Sequence, residues 1–240
     1  MALTLLQMCT EALEEKAEFS VPATIIGNTN PTALRLRRAA NRTGRTLRNL
    51  MTWQAMIQTY TFPTVASTET YALPSDFHRF INYTQWDRTN YSPLLGPQSG
   101  AAWEYVRSGS VTGASQVYSV WRHAAGLFAI RPIPTSVRTI AYQYIGNYWI
   151  AATGSSTLVK EYFTVDSDTC IFDDDLMVLG IKERFDAIAL GVDFVPSAEY
   201  QANIDAAVAK DGGKPVIKFG PPSVFSSVLG EGNISEGNFG

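Results

Sequence analysis

Apolar residues recur at helical spacing near both ends of this chain and at strand spacing in between. A first helix is predicted from about Thr4, where Thr4 and Gln7 stand at capping-box spacing. Leu5, Leu6, Met8, Cys9, Ala12 and Leu13 form its apolar stripe, and Glu11, Glu14, Glu15 and Lys16 face water. A loop over 27–31 comes next. Asn30 can cap a second helix, predicted over 31–53, and Pro31 suits its first turn. On that helix Leu36, Ala40, Leu47, Leu50 and Met51 share one side. Arg35, Arg37, Arg38, Arg42, Arg45 and Arg48 share the other, and no acidic residue on the helix offsets them.

From about 61 to 163 the period changes. Aromatic and β-branched segments alternate with Pro, Gly, Asn and Ser. Strands are predicted over 68–73, 80–87, 116–122, 127–132, 138–144 and 157–162. A hairpin turn is expected over 123–126, and one short helix over 98–107. A third helix should start after Asp173, Asp174 and Asp175, whose charges complement the helix dipole. Met177, Ile181, Phe185, Ile188 and Val192 make one stripe on it. Leu176, Leu179, Ala187, Leu190 and Phe194 make a second, which implies burial on two sides, against the core and against a second helix or a neighbouring subunit. A fourth helix begins at Pro196-Ser197, carries Tyr200, Ile204, Ala207 and Val208 in register, and ends at Asp211-Gly212-Gly213.

These elements imply an α+β fold class: a helical bundle from the N- and C-terminal helices (1–55 and 170–212), an inserted antiparallel β domain (56–169) and an extended C-terminal arm (213–240). The arm has no overall period and is rich in Gly and Pro. Yet Val216, Ile217, Phe219, Val224, Phe225, Val228, Leu229, Ile234 and Phe239 punctuate it. Such residues are unusual in a solvated linker, so the arm reads as a segment that orders on another surface, either a partner or its own domain.

Composition narrows the function classes. The 240 residues are 45% hydrophobic and 17% charged, enough for a proper core, and 12% are aromatic. A net charge of −3 provides no global field for nucleic acid or an acidic membrane. The two cysteines, Cys9 and Cys170, exclude a disulfide framework and read as buried thiols of a reducing cytoplasm. Ala2 to Cys9 is apolar but short and lacks a preceding basic residue, so no signal peptide is expected. No run is long enough to span a bilayer.

Catalytic motifs are missing. There is no GxxxxGK[ST], GxGxxG or GxSxG string. His78 and His123 fall at turns and are expected as exposed loop residues. The cluster Asp166, Asp168, Asp173, Asp174 and Asp175 begins like a calcium loop. The glycine and terminal glutamate of that loop are absent, and turn formation with helix capping accounts for the residues. No catalytic residue, cofactor or metal is expected. The arginine face suits phosphate neutralisation or, preferably, ion pairs across a protein interface.

One series of motifs carries a resemblance. Tyr71-Ala72-Leu73-Pro74-Ser75-Asp76-Phe77 is followed by Arg79, Trp86-Asp87, Pro93-Leu94, Gly96-Pro97 and Trp103. Then come Ile130-Arg131-Pro132, Tyr142, Tyr144, Tyr148-Trp149, Phe163, Asp166 and Asp168. With the arginine-rich helix ending at Trp53, residues 3–212 resemble the head-to-tail adaptor (connector) proteins of short-tailed bacteriophages and prophages. The resemblance implies a structural virion protein, not an enzyme, made in the host bacterial cytoplasm and placed at the head-to-tail junction. It implies a closed ring of about twelve copies, joined to the portal and to a tail nozzle or tail tube protein. DNA would pass through the lumen without sequence-specific binding, and no membrane would be involved. The arm residues Phe219, Pro221, Pro222, Phe225, Val228 and Leu229 are expected to grip the portal. Arg38, Arg42, Arg45, Leu179, Leu190 and Phe194 are expected at the subunit interface. Two other readings are a glycan-hydrolysing tail enzyme using clustered carboxylates and a DNA-binding module using the arginine face.

Overall fold

The structure is a computed structural model and describes residues 2–14, 19–108 and 119–212. The arm over 213–240, and with it Phe219, Pro221, Pro222, Phe225, Val228 and Leu229, lies outside the described residues, as do positions 116–118 of an expected strand. Helices α1 (Leu5–Glu14) and α2 (Pro31–Leu50) come first. Strands β1 (Ile57–Pro63), β2 (Thr70–Ala72), β3 (Phe77–Phe80), β4 (Trp86–Asp87) and β5 (Ser92–Pro93) follow, then α3 (Gly100–Arg107). Next are β6 (Val120–Ala124), β7 (Leu127–Arg131), β8 (Thr139–Gly146), β9 (Ile150–Ala151), β10 (Leu158–Lys160) and β11 (Thr169–Cys170). Helices α4 (Asp174–Leu190) and α5 (Ala198–Asp211) close the described chain. Helices and antiparallel sheets in one chain make the class α+β, as expected.

Helix ends are set by local chemistry. The Gln7 side chain accepts from the Thr4 amide at 2.9 Å, completing the capping box of α1. Asn30 Oδ1 accepts from Thr32 N at 2.9 Å ahead of Pro31, and the side chains of Ser99, Asp173 and Ser197 cap α3, α4 and α5. Helix α2 stops at Leu50, three residues short of the expected end at 53. Trp53 folds back, and its indole N–H donates to the Leu47 carbonyl at 2.7 Å. Arg79 meanwhile donates to the Met51 carbonyl at 2.8 Å, so side chains satisfy acceptors that a longer helix would have used. Gly191, at φ 68°, ends α4 before Val192 and Phe194, which the stripe pattern had placed on the helix.

β8 is the spine of the largest sheet. β1 runs along one edge, from Ile57 opposite Ile145 to Pro63 opposite Thr139. β3 and β4 share the other edge end to end, and β5 extends β4. The strand expected over 80–87 is thus two short strands, broken where Tyr83 adopts φ 64°. β6 and β7 form the expected hairpin, tightened to a turn in which Ala125 and Gly126 both have positive φ. β2 joins it. This sheet packs on the first through an aromatic core: Trp121 stacks on Phe128, and Phe128 on Tyr142, each at 5.1 Å between ring centres.

The helices build a second core with the small sheet β10-β9-β11. α4 is central there, packing against α1, α2 and α5, which explains its two stripes. Leu176, Met177, Ile181, Phe185 and Ala187 are buried. Trp149, between β8 and β9, is fully buried, and its ring lies where α2 presents Gly44. A Cβ at Gly44 would overlap that ring.

Gly44→Ala adds roughly 1 kcal/mol of helix propensity but overpacks a fully buried site, which costs about 1–3 kcal/mol. The clash is expected to win: chemical denaturation should show a net loss, and pairing the change with Trp149→Leu should recover part of it.

Candidate assembly interface

The arginine face of α2 emerges because its opposite face is sealed. Ala33, Leu36, Ala39, Ala40, Thr43, Gly44 and Leu47 are buried. Arg38, Arg42 and Arg45 are exposed, and Arg35 and Arg37 are half-buried. No described carboxylate is ion-paired with Arg38 or Arg42. Arg45 lies over the Tyr162 ring, 5.5 Å from its centre. Arg37, Arg38, Arg42, Arg45, Asn41, Tyr162 and Ile188 line an open groove of about 380 Å³.

Two residues leave the face on which periodicity placed them. Arg48 is buried. Its guanidinium pairs with Glu161 at 3.0 Å and donates to the Asn147 side chain at 3.2 Å. The partners come from strand connections about a hundred residues away, invisible to a helical wheel. Leu50, expected on the apolar side, is 45% exposed at the residue where the helix ends.

The α4 residues expected at an interface separate. Leu179 is half-buried and packs on the chain's own core. Phe194 lies past the helix, with the Arg184 guanidinium 3.9 Å over its ring and Tyr200 edge-on at 6.3 Å. Burial of Arg184, the leading effect, lowers its pKa, and it donates to Thr46 at 2.9 Å. Leu190 stays 76% exposed, next to Val192 and Val195 at 58% and 79%. Leu190 and Val192, which the stripe pattern placed on the helix, and Val195 beyond it thus stay uncovered in the described chain.

The aspartates are occupied otherwise. Asp166 accepts from the amides of Ile25 and Ile26, the latter at 2.7 Å. Asp168 is buried; it pairs with Lys160 at 2.6 Å and accepts from the Thr164 and Val165 amides. Asp174 accepts from Leu3 N at 3.0 Å. Together they fasten the N-terminus and the loop before α2 to the strands. Among the described residues no group of three His, Cys, Asp or Glu gathers to hold a metal.

The histidines sit on strands, not in the loops expected for them. His78 is on β3, its Nε2 3.1 Å from Asn49 Oδ1. Burial, then the nearby Arg48 and Arg79, lower its pKa. His123 is on β6 opposite Phe128, edge-on to Phe77 and Phe80. No described helix is long and apolar enough to cross a membrane.

The geometry is that of a structural component: sealed cores, carboxylates engaged with backbone amides, and a basic and apolar surface left open. Among protein families, the one described as SU10 adaptor protein matches residues 5–210, and the chain belongs to it. The chain is therefore a bacteriophage adaptor, a virion component that associates with other virion components, in line with the resemblance drawn from its motifs. A search of curated proteins finds no match.

Burial alone would raise the Asp168 carboxyl. The Lys160 ammonium and the two amide donors outweigh it and hold the group below the ordinary aspartate range. A depressed folded-state value gives stability that is present above the unfolded value of about 3.9 and lost as pH falls through the folded one. Asp168→Asn is expected to lower stability near neutral pH by about 3 kcal/mol and to flatten the loss of stability below pH ~4, both read from urea midpoints against pH.

Proposed function

We infer that this adaptor closes into a ring of about twelve copies, binds the portal above and a tail nozzle or tail tube protein below, and lets DNA pass through its lumen. The observation that carries the reading is the match of residues 5–210 to an adaptor family in a chain that exposes arginines along α2 and apolar side chains past the end of α4. Interfaces are enriched in arginine around an apolar centre. Arg38, Arg42, Arg45, Leu190 and Phe194, with Leu179 bracing the helix beneath, form the subunit contact. The arm residues Phe219, Pro221, Pro222, Phe225, Val228 and Leu229 grip the portal, with the aromatic rings as anchors.

Solution mass by light scattering tests the whole reading. The full chain mixed with portal rings is expected to join them as a defined ring, and a chain stopped at Gly213 is expected to stay free. Failure of both to join would remove the adaptor assignment's functional content. The subunit contact has its own test. Arg38→Glu, Arg42→Glu and Arg45→Glu together should leave circular dichroism unchanged, because these side chains are exposed, and should abolish ring assembly. Unchanged assembly, with steeply salt-dependent duplex binding lost instead, would move the arginines to DNA.

A further inference from the structure

A second groove lies away from the arginine face. Its volume is about 510 Å³. One wall is the end of α2 and the turn after it, with Leu50, Met51, Thr52 and Gln54 and with Arg79 of β3 bound to the Met51 carbonyl; the other is a single stripe of α5, with Gln201, Ile204, Asp205, Val208, Asp211 and Gly212. Leu50, Met51, Ile204 and Val208 give it an apolar floor, and Asp205 and Asp211 stand on the α5 side. Asp211 fixes the corner by accepting from Gln54 N at 3.0 Å. The described chain ends at Gly212, on the rim of this groove, at φ 140°. The remaining chain, 213–240, starts from there.

The arm has no period over its full length, but its first residues, Lys214, Pro215, Val216, Ile217, Lys218 and Phe219, place an apolar face at alternate positions. In an extended chain Pro215, Ile217 and Phe219 face one way, and Lys214, Val216 and Lys218 the other. We propose that residues 214–219 seat in the groove of their own chain, with Pro215, Ile217 and Phe219 on the floor of Leu50, Ile204 and Val208 and the lysines toward the Asp205 and Asp211 side. Lengths agree: the α5 stripe from Gln201 to Gly212 spans roughly 16 Å at helical rise, and six extended residues span about 20 Å. Gly212 and Gly213 permit the reversal that brings the chain back along α5. Attachment at the rim makes the segment's effective concentration far higher than that of any free competitor. Phe219 is shared with the portal-gripping set, so seating and gripping compete for one ring. The seat itself is independent of the portal reading and is tested without a portal.

The test uses the full chain alone. In the variant carrying Val208→Cys and Ile217→Cys, mild oxidation should give a disulfide within one chain. The same treatment of Val208→Cys with Asn233→Cys should not. Cys9 and Cys170 are buried, and burial pushes both thiols up to about 12, so they stay out of the reaction. A disulfide between chains would give the groove to a neighbour's arm and overturn the proposal, and equal trapping at both tail positions would overturn it as well. Trypsin gives a second reading without cysteines. It cuts Lys218–Phe219, and that cut should be about tenfold slower in the full chain than in a free peptide of residues 213–240. Val208→Asp should restore the peptide's rate. Equal rates in chain and peptide would sink the seat.

Discussion

The close approach of Trp149 to Gly44 is the contact on which the remainder of the molecule depends. A helix normally keeps a neighbouring ring at side-chain distance. Here α2 presents no side chain, and the indole lies against the backbone. The cost is visible: Trp149 Nε1 is buried with no hydrogen-bond partner among the described residues. Packing must therefore outweigh one lost hydrogen bond. The approach in turn sets the angle of α2. With Trp149 in place, Asn147 and Glu161 come within reach of Arg48, and the helix is pinned so that Arg38, Arg42 and Arg45 face outward.

How far the fold was legible depends on the range of the interaction that made each part. Caps operate over three or four residues, and Thr4, Asn30, Asp173 and Ser197 all act as their spacing implies. The β6–β7 hairpin is equally local. β1 was missed for the opposite reason. Its period-2 signal is short, since only Tyr60 and Phe62 alternate with exposed neighbours and only Phe62 is buried. Its existence comes from pairing with β8, some eighty positions further on. The break at Tyr83 was also hidden, because a positive φ at a tyrosine has no compositional mark of the kind that glycine supplies.

The candidate surface shows the same division. A helical wheel found Arg38, Arg42 and Arg45 because exposure follows from what the other face buries. It misplaced Arg48 because charge gives no hint of a distant carboxylate. Asp166 and Asp168 read equally well as the start of a cation loop or as turn residues. For Asp166 the deciding donors, the amides of Ile25 and Ile26, are about 140 positions away; for Asp168 they are the nearby Thr164 and Val165 amides and Lys160. Buried carboxylates that accept several backbone N–H groups are satisfied without an ion. Family membership over residues 5–210 reached the function that no single motif here specified.

An exposed row of arginines gives little to the folding of one chain. Like charges four residues apart on a helix repel by a few tenths of a kcal/mol, and α2 has no acidic residue to counter them. Such a row is better explained by what it meets than by what it stabilises. The exposed apolar residues past α4 argue in the same direction. Leu190, Val192 and Val195 stand exposed where α4 stops, although the same helix buries Leu176, Met177 and Ile181 in its first half. Guanidinium groups beside desolvated aliphatic side chains gain strength, because excluding water raises the effect of each charge. Alone, the face costs the monomer a little; against a complementary surface its charges are offset.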